Sequence, residues 1–327
     1  MGAGVMALTA APFHADVAEG PGSGAAYWLT TTDGVRVRVA YWPLKDARGT
    51  LFLFPGRTEY VEKYGMMAAE MARRGYAMMA IDWRGQGIAD RLLPDRRVGH
   101  VGKFHDYQHD VAAFLDAAEV LNVPKPFHVL GHSMGGAIGL RAVMDGLPVK
   151  SCAFTGPMWG IRIAGLLRPI AWGLYYASGW ANQGHRLPPT TRYENYVMAE
   201  EFEGNMLTTD PEMYALMRRQ ITAYPDLALG GPSVTWVGEA LRECQILGKR
   251  PAPGIPALTI AGSGEIIVDV DKMRDRMNAW PDGRFHLLED ANHEVLMETP
   301  EKRGEVFDML EDLFVSAESD RSRAQSA

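Results

Sequence analysis

Gly131-His132-Ser133-Met134-Gly135 sets a serine between two glycines, after the apolar run Phe127 to Leu130 and before Gly136, Ala137 and a helical pattern. This is the G-x-S-x-G spacing with which a strand reverses sharply into a helix and holds its serine in a strained backbone conformation. The glycines answer a steric demand, because side chains at those positions would strike neighbouring backbone. The turn lifts Oγ above the sheet, and the helix N-terminus behind it favours developing negative charge. The spacing alone recurs by chance in roughly one chain in ten of this length, so the strand before it and the helix after it carry the argument.

A serine hydroxyl is a poor nucleophile until a histidine accepts its proton, and that histidine needs an orienting carboxylate. With this elbow the chain order is serine, acid, histidine. Two carboxylates fit the middle place. Glu265 falls in the loop after the strand-like run Ala257 to Ala261, at the strand's C-terminal end where open α/β sheets bind ligands. Asp269 stands where the next helix begins, a position that an N-cap explains as well. His293 lies in the polar stretch Glu289 to Glu294, between the last strand and the last helix. His286 sits inside that strand, and His132 is too constrained by the elbow to act as its base. His105 and His109 have i, i+4 spacing but lack the glutamate of H-E-x-x-H, so no metal is assigned. Two backbone amides are needed for an oxyanion. Met134, just after the serine, is one candidate, and Arg57 in Pro55-Gly56-Arg57-Thr58-Glu59-Tyr60 is the other. The Arg57 side chain reads as a surface ion-pair group.

The elements that position these residues are strands alternating with helices. Strands are expected at Tyr27 to Thr31, Val35 to Tyr41, Thr50 to Phe54, Tyr76 to Ile81, Phe127 to Leu130, Ala257 to Ala261 and Arg284 to Leu288. Helices are expected at Val61 to Arg74, Phe104 to Leu121, through Met277, and from Pro300 to Phe314. This rhythm implies βαβ units and a mostly parallel sheet. It breaks between about 157 and 250, where helical patterns carry aromatics and methionines without a convincing strand. A helical insertion is the simplest account.

With 327 residues and 47% apolar content the chain can bury a sizeable core, and a net charge of −7 gives nucleic acid no broad basic surface. Cys152 and Cys244 are far apart with no CxxC pair, which argues against a disulfide framework and suits a reducing cytoplasm. Residues 1–25 read as a flexible leader without the basic region of a secretory signal, and Met6 could equally be a start. The stretch from Gly156 to Trp180 is broken by Arg162, Arg168 and Pro169, which disfavours a membrane span. The Ser/Asp/Arg-rich tail, 316–327, reads as disordered.

Four segments together carry a resemblance: Phe54-Pro55-Gly56-Arg57-Thr58-Glu59-Tyr60, Asp82-Trp83-Arg84-Gly85-Gln86-Gly87, Gly131 to Gly136, and Asn292-His293-Glu294. The chain resembles bacterial lysophospholipases, relatives of the monoacylglycerol lipases and serine aminopeptidase-like hydrolases, over roughly Tyr27 to Phe314. The resemblance implies an α/β-hydrolase fold, with a mostly parallel eight-stranded sheet and a helical cap inserted after strand six. It implies Ser133 as nucleophile, His293 as base and Glu265 as acid, glutamate being similar to the lysophospholipase branch where the glyceride lipases carry aspartate. Pro55 replaces the histidine that many relatives carry there.

The division expected is a core of 26–156 and 245–315 with a cap of 157–244. Trp159, Ile163 and Leu167, with Leu166 and the aromatics that follow, would line an acyl-chain pocket or offer a face for peripheral contact with the inner membrane. They would equally serve to pack the cap onto the core. Arg162, Arg168 and Arg192 could meet a phosphate head group. The expected substrate is a lysophospholipid or another single-acyl ester, cleaved through an acyl-enzyme without a cofactor. The alternatives are a monoacylglycerol lipase or broad carboxylesterase and, from another class, an inactive hydrolase-fold binding protein. An aminopeptidase is disfavoured, since no acidic cluster in the cap is arranged for a substrate amine.

Overall fold

The computed structural model describes residues 8–163, 165, 167–189 and 191–324, with side chains to Ser319. Met6 and Leu166 lie outside the described residues. The strands are β1 (Thr9–Ala11), β2 (Ala25–Thr30), β3 (Arg36–Trp42), β4 (Gly49–Phe54), β5 (Tyr76–Asp82), β6 (Phe127–His132), β7 (Cys152–Thr155), β8 (Ala257–Gly262) and β9 (Gly283–Leu288). They form one sheet in the order β1-β2-β3-β5-β4-β6-β7-β8-β9. Pairing is parallel from β5 through β9 and antiparallel among β1, β2, β3 and β5.

Strands β4 to β8 are buried along their whole length, as parallel strands covered on both faces must be. Their side chains alternate between two cores. Phe52 and Phe54 join Phe114, Ile138 and Met273 under the helices Tyr107–Val120, Met134–Met144 and Val270–Asn278. Leu51 and Leu53 join Met67, Met71, Val306 and Phe314 under the helices Gly65–Arg73 and Pro300–Ala324. At about 25 cal/mol per Å² of apolar area removed from water, these two cores are the main favourable term in folding.

Several expectations need correction. The sheet has nine strands rather than eight, because β1 arises within the expected leader. What orders that segment comes from elsewhere in the chain. Arg38 donates to the Pro12 carbonyl at 2.8 Å, the Phe13 ring meets Trp42 edge-on at 5.7 Å, and His14 stacks on Tyr224 at 3.6 Å. The last helix runs on to Ala324, through the segment read as a disordered tail. There Glu318 accepts from the Tyr76 hydroxyl at 2.7 Å and from Arg48 at 3.2 Å. β7, four residues long, was not among the strands read from the pattern.

The insertion between β7 and β8 carries the helices Leu167–Trp180, Tyr196–Ala199, Pro211–Ala223 and Val234–Lys249. The fourth runs through Cys244, where the cap was expected to end. Its Glu243 pairs with Arg141 of the elbow helix at 2.6 Å, so it belongs to both layers. Cys152 and Cys244 are buried and unbridged, and burial pushes the Cys244 thiol up to about 12. No described helix is long and apolar enough to cross a membrane.

Candidate active site

Ser133 ends the reversal from β6 into the helix Met134–Met144, with φ +50° and ψ −115°. The glycines around it leave room for nothing larger. A Cβ on Gly131 would lie 2.6 Å from the Gly135 carbonyl oxygen, and one on Gly135 would lie 1.9 Å from that of Phe54. The Ser133 amide donates to the Thr155 carbonyl at 3.0 Å, and the Met158 amide donates to the Ser133 carbonyl at 2.8 Å. The serine is therefore pinned to both neighbouring chain segments.

Glu265 follows β8 and His293 follows β9, at the same sheet edge. His293 Nε2 is 3.0 Å from Ser133 Oγ, and His293 Nδ1 is 2.5 Å from Glu265 Oε2. The other Glu265 oxygen accepts from the amides of Ile267 at 2.6 Å and Val268 at 3.1 Å. Burial pushes the Glu265 carboxyl up, but the bond to His293 and these two amides outweigh it and hold it below the usual range. The acid and histidine loops touch because residue 262 is glycine, whose Cβ would sit 2.2 Å from the Ala291 carbonyl oxygen. Asp269 instead caps its helix, accepting from the Lys272 amide at 3.2 Å. The cap's root is stitched to the acid loop: Ile161 bridges Val268, the Arg162 amide donates to the Ile267 carbonyl at 3.1 Å, and that of Asp269 to Gly160 at 2.9 Å.

The other histidines are elsewhere or occupied. His132 Nδ1 lies 3.0 Å from the Thr155 carbonyl, His286 pairs with Glu305 at 2.8 Å, and His109 meets the Thr32 hydroxyl at 3.0 Å.

The Pro55 to Glu59 loop faces the elbow and is held from both sides. Trp83 donates to the Pro55 carbonyl at 2.9 Å and Gln86 to that of Gly56 at 2.7 Å, which gives two members of the Asp82 to Gly87 segment a structural task. Glu59 accepts from the Gly56 amide and, at 2.6 Å each, from Lys63 and the Tyr64 hydroxyl. Lys63 also bonds Glu294, the residue after the histidine. Burial alone would raise Glu59, but the Lys63 ammonium brings it down to about 2. Glu59, His132 and Glu294 place ligand-type atoms within 4.8 Å of one another, a grouping that could hold a cation; the Lys63 ammonium already supplies the positive charge between the two carboxylates. The residue pattern had not suggested this network; the i, i+4 spacing of Glu59 and Lys63 was its one visible trace. The Arg57 side chain is not a surface ion-pair group. It donates to the Gly230 carbonyl at 2.8 Å and lies over the Trp236 ring at 5.6 Å.

A cavity of about 260 Å³ opens on Ser133 and His293. Its cap wall is made by Asn195, Tyr196, Val197, Met206, Leu207, Met217 and Ile221. Trp159, Ile163 and Leu167 are not on it. Trp159 donates to the Gly136 carbonyl at 3.1 Å and packs against Phe154 at 4.9 Å, on the wall of a separate cavity of about 680 Å³. Ile163 is half-buried away from both cavities, and Leu167 is exposed. The three cap arginines are also elsewhere: Arg162 reaches the Glu265 carbonyl at 3.4 Å, Arg168 that of Ile161, and Arg192 pairs with Glu200 at 3.0 Å.

A family model described as serine aminopeptidase, S33, matches residues 45–300. The chain belongs to this family. The S33 hydrolase is 29% identical over 301 residues to lysophospholipase L2 of Escherichia coli K12, covering 88% of this chain and 86% of that one. It is 32% identical over 106 residues to a monoacylglycerol lipase of Mycolicibacterium smegmatis, covering 32% and 36%. Among solved structures it is similar to a monoglyceride lipase of Saccharomyces cerevisiae, with TM-score 0.68, 18% identity and 96% of each chain covered. A carboxyl esterase of Bacillus coagulans gives TM-score 0.72 at 13% identity, covering 91% and 99%. The S33 hydrolase thus has the α/β-hydrolase fold and is an enzyme of the hydrolase class.

Proposed function

We propose that this hydrolase cleaves the carboxylic ester of single-acyl lipids, preferring a lysophospholipid, with Ser133 as nucleophile, His293 as base and Glu265 as the acid that orients it. The observation that supports the reading most is the unbroken chain of contacts, 3.0 Å from Ser133 to His293 and 2.5 Å from His293 to Glu265. Ser133 Oγ attacks the ester carbonyl while His293 Nε2 takes its proton. Glu265 stabilises the imidazolium, and the amides of Met134 and Arg57 receive the oxyanion. The imidazolium then protonates the leaving alcohol. Water, activated by the same histidine, attacks the acyl-enzyme and releases the fatty acid. These side chains and water account for every proton and electron pair.

The name of the E. coli relative supports the phospholipid preference, and the apolar cap wall suits an acyl chain. The exposed Leu167, Ile170, Tyr176 and Trp180 support peripheral contact with a membrane's inner face. Residues 146–193 contain four arginines and no acidic residue in a chain of net charge −7, which suits an anionic lipid surface.

Fatty-acid release from lysophosphatidylcholine and from monoacylglycerol, measured side by side, tests the reading. Phospholipid preference is expected, and Ser133→Ala should lower turnover by up to about 10⁶-fold. Glyceride preference would move the assignment to a lipase or esterase. Silence on both and on small aryl esters, with no fluorophosphonate labelling of Ser133, would favour an inactive binding protein.

A further inference from the structure

The cavity that holds Ser133 is lined by two cationic residues besides its histidines, Arg57 and Lys63. They differ in how their charge is met. Lys63 sits between two carboxylates, Glu59 and Glu294, and its charge is consumed within the protein. Arg57 has no carboxylate partner among the described residues. Of the five N–H donors a guanidinium carries, one is bonded to the Gly230 carbonyl. Among the described residues the Nε and the second Nη have no protein acceptor, and neither nitrogen is among the buried polar atoms sealed away without a partner.

Resting on the reading that this site cleaves single-acyl lipid esters, we propose that the Arg57 guanidinium is the subsite for the substrate's phosphodiester anion. The support beneath it favours that task. The Gly230 carbonyl and the Trp236 face hold the side chain in place, so a planar donor pair is presented at little further entropic cost when an anion arrives. Arginine suits the ligand because two parallel N–H groups match two phosphate oxygens. A half-buried cation without a counter-ion is also unfavourable until an anion enters, which turns its desolvation into selectivity.

Reach agrees as well. An extended arginine side chain places its guanidinium carbon six bonds from its own backbone nitrogen, roughly 7 Å at bonds of about 1.5 Å. The scissile carbonyl carbon and the phosphorus of a lysophospholipid are six bonds apart, a span of roughly 7 Å on the same geometry. One residue can thus offer its amide to the ester and its side chain to the head group. Burial lowers the guanidinium to about 10, which leaves it charged at neutral pH. The three cap arginines are off this cavity wall, so Arg57 takes the role the sequence pattern had offered to them.

The test compares wild type, Arg57→Gln and Arg57→Lys on lysophosphatidylcholine and monoacylglycerol of the same acyl chain. The readout is the ratio of the two kcat/KM values, which cancels any disturbance of the oxyanion loop shared by both substrates. In Arg57→Gln the ratio should fall about 10- to 100-fold toward the glyceride, with partial recovery in Arg57→Lys. Glycerophosphocholine should compete with the wild type and lose that competition in Arg57→Gln. A ratio within twofold of wild type in folded Arg57→Gln, or an Arg57→Lys ratio no higher than that of Arg57→Gln, overturns the subsite while leaving ester hydrolysis standing. A wild type inactive on both lipids overturns the underlying reading instead.

Discussion

The core wall of the cavity and the first cap helix are held to very different tolerances. On the core side, the elbow, acid and histidine loops meet at contacts that exclude even a methyl group, as at Gly135 against Phe54 and Gly262 against Ala291. Ser133 Oγ, both His293 ring nitrogens and both Glu265 carboxylate oxygens have partners there. On the cap side, the helix Leu167–Trp180 buries Ser178 alone among its described residues and leaves Trp180 94% exposed. Its grip on the rest of the cap runs through Tyr175, which lies where a Cβ on Gly238 would be and bonds Glu239 at 2.7 Å. The core wall is thus fixed by close backbone packing, whereas this cap helix, off the cavity wall, is held by few side chains.

That contrast can be broken most severely at the acid. Glu265→Gln keeps the shape but cannot stabilise a charged His293, and kcat should fall about 10³- to 10⁴-fold, by analogy with the acid of other serine triads. Steady-state kinetics on one ester checks this. A loss below tenfold would return the role to Asp269.

A smaller effect comes from beneath the elbow. Burial lowers both His128 and His132, on β6, to about 4. The unfolded chain, with histidines near 6.5, then binds more protons than the folded one between these values. The stability these two neutral rings contribute is fully present above about 6.5 and is lost as pH falls toward 4, by up to about 1.4 kcal/mol per histidine per pH unit. Urea midpoints between pH 7.5 and 5 measure it. A flat profile, or His132→Asn leaving the slope unchanged, would contradict the assignment.

The smallest effect belongs to the cap. Trp180→Ser with Tyr176→Ser should reduce sedimentation with anionic phospholipid vesicles several-fold, while turnover of a short soluble ester stays within twofold. Equal loss of both would mean that this face is part of the folded cap rather than a lipid contact.

The sequence pattern was informative where local rules decide. The elbow was legible because its glycines and serine follow from one steric problem, and Glu265 and His293 because each loop follows a recognisable strand. The cavity wall was not. An aromatic such as Trp159 reports that it will be buried, not against which surface. Asn195, Tyr196 and Met206 come to line the Ser133 cavity only through the packing of separate cap segments. β1 and the end of the last helix escaped for a related reason: Arg38, Trp42 and Arg48, which hold them, are distant in the chain. The Arg57 side chain was misread because its partners, Gly230 and Trp236, lie about 170 residues away.

The stitching of Ile161 and Arg162 to the acid loop bears on modularity. A lineage, or an engineer, that exchanges caps between related chains cannot cut at the end of β7, because the first residues of the insertion are part of the framework that seats the carboxylate. The recombination junction belongs beyond Arg162, leaving 156–162 with the host core; chimeras joined upstream would inherit a foreign cap and a mis-set acid together.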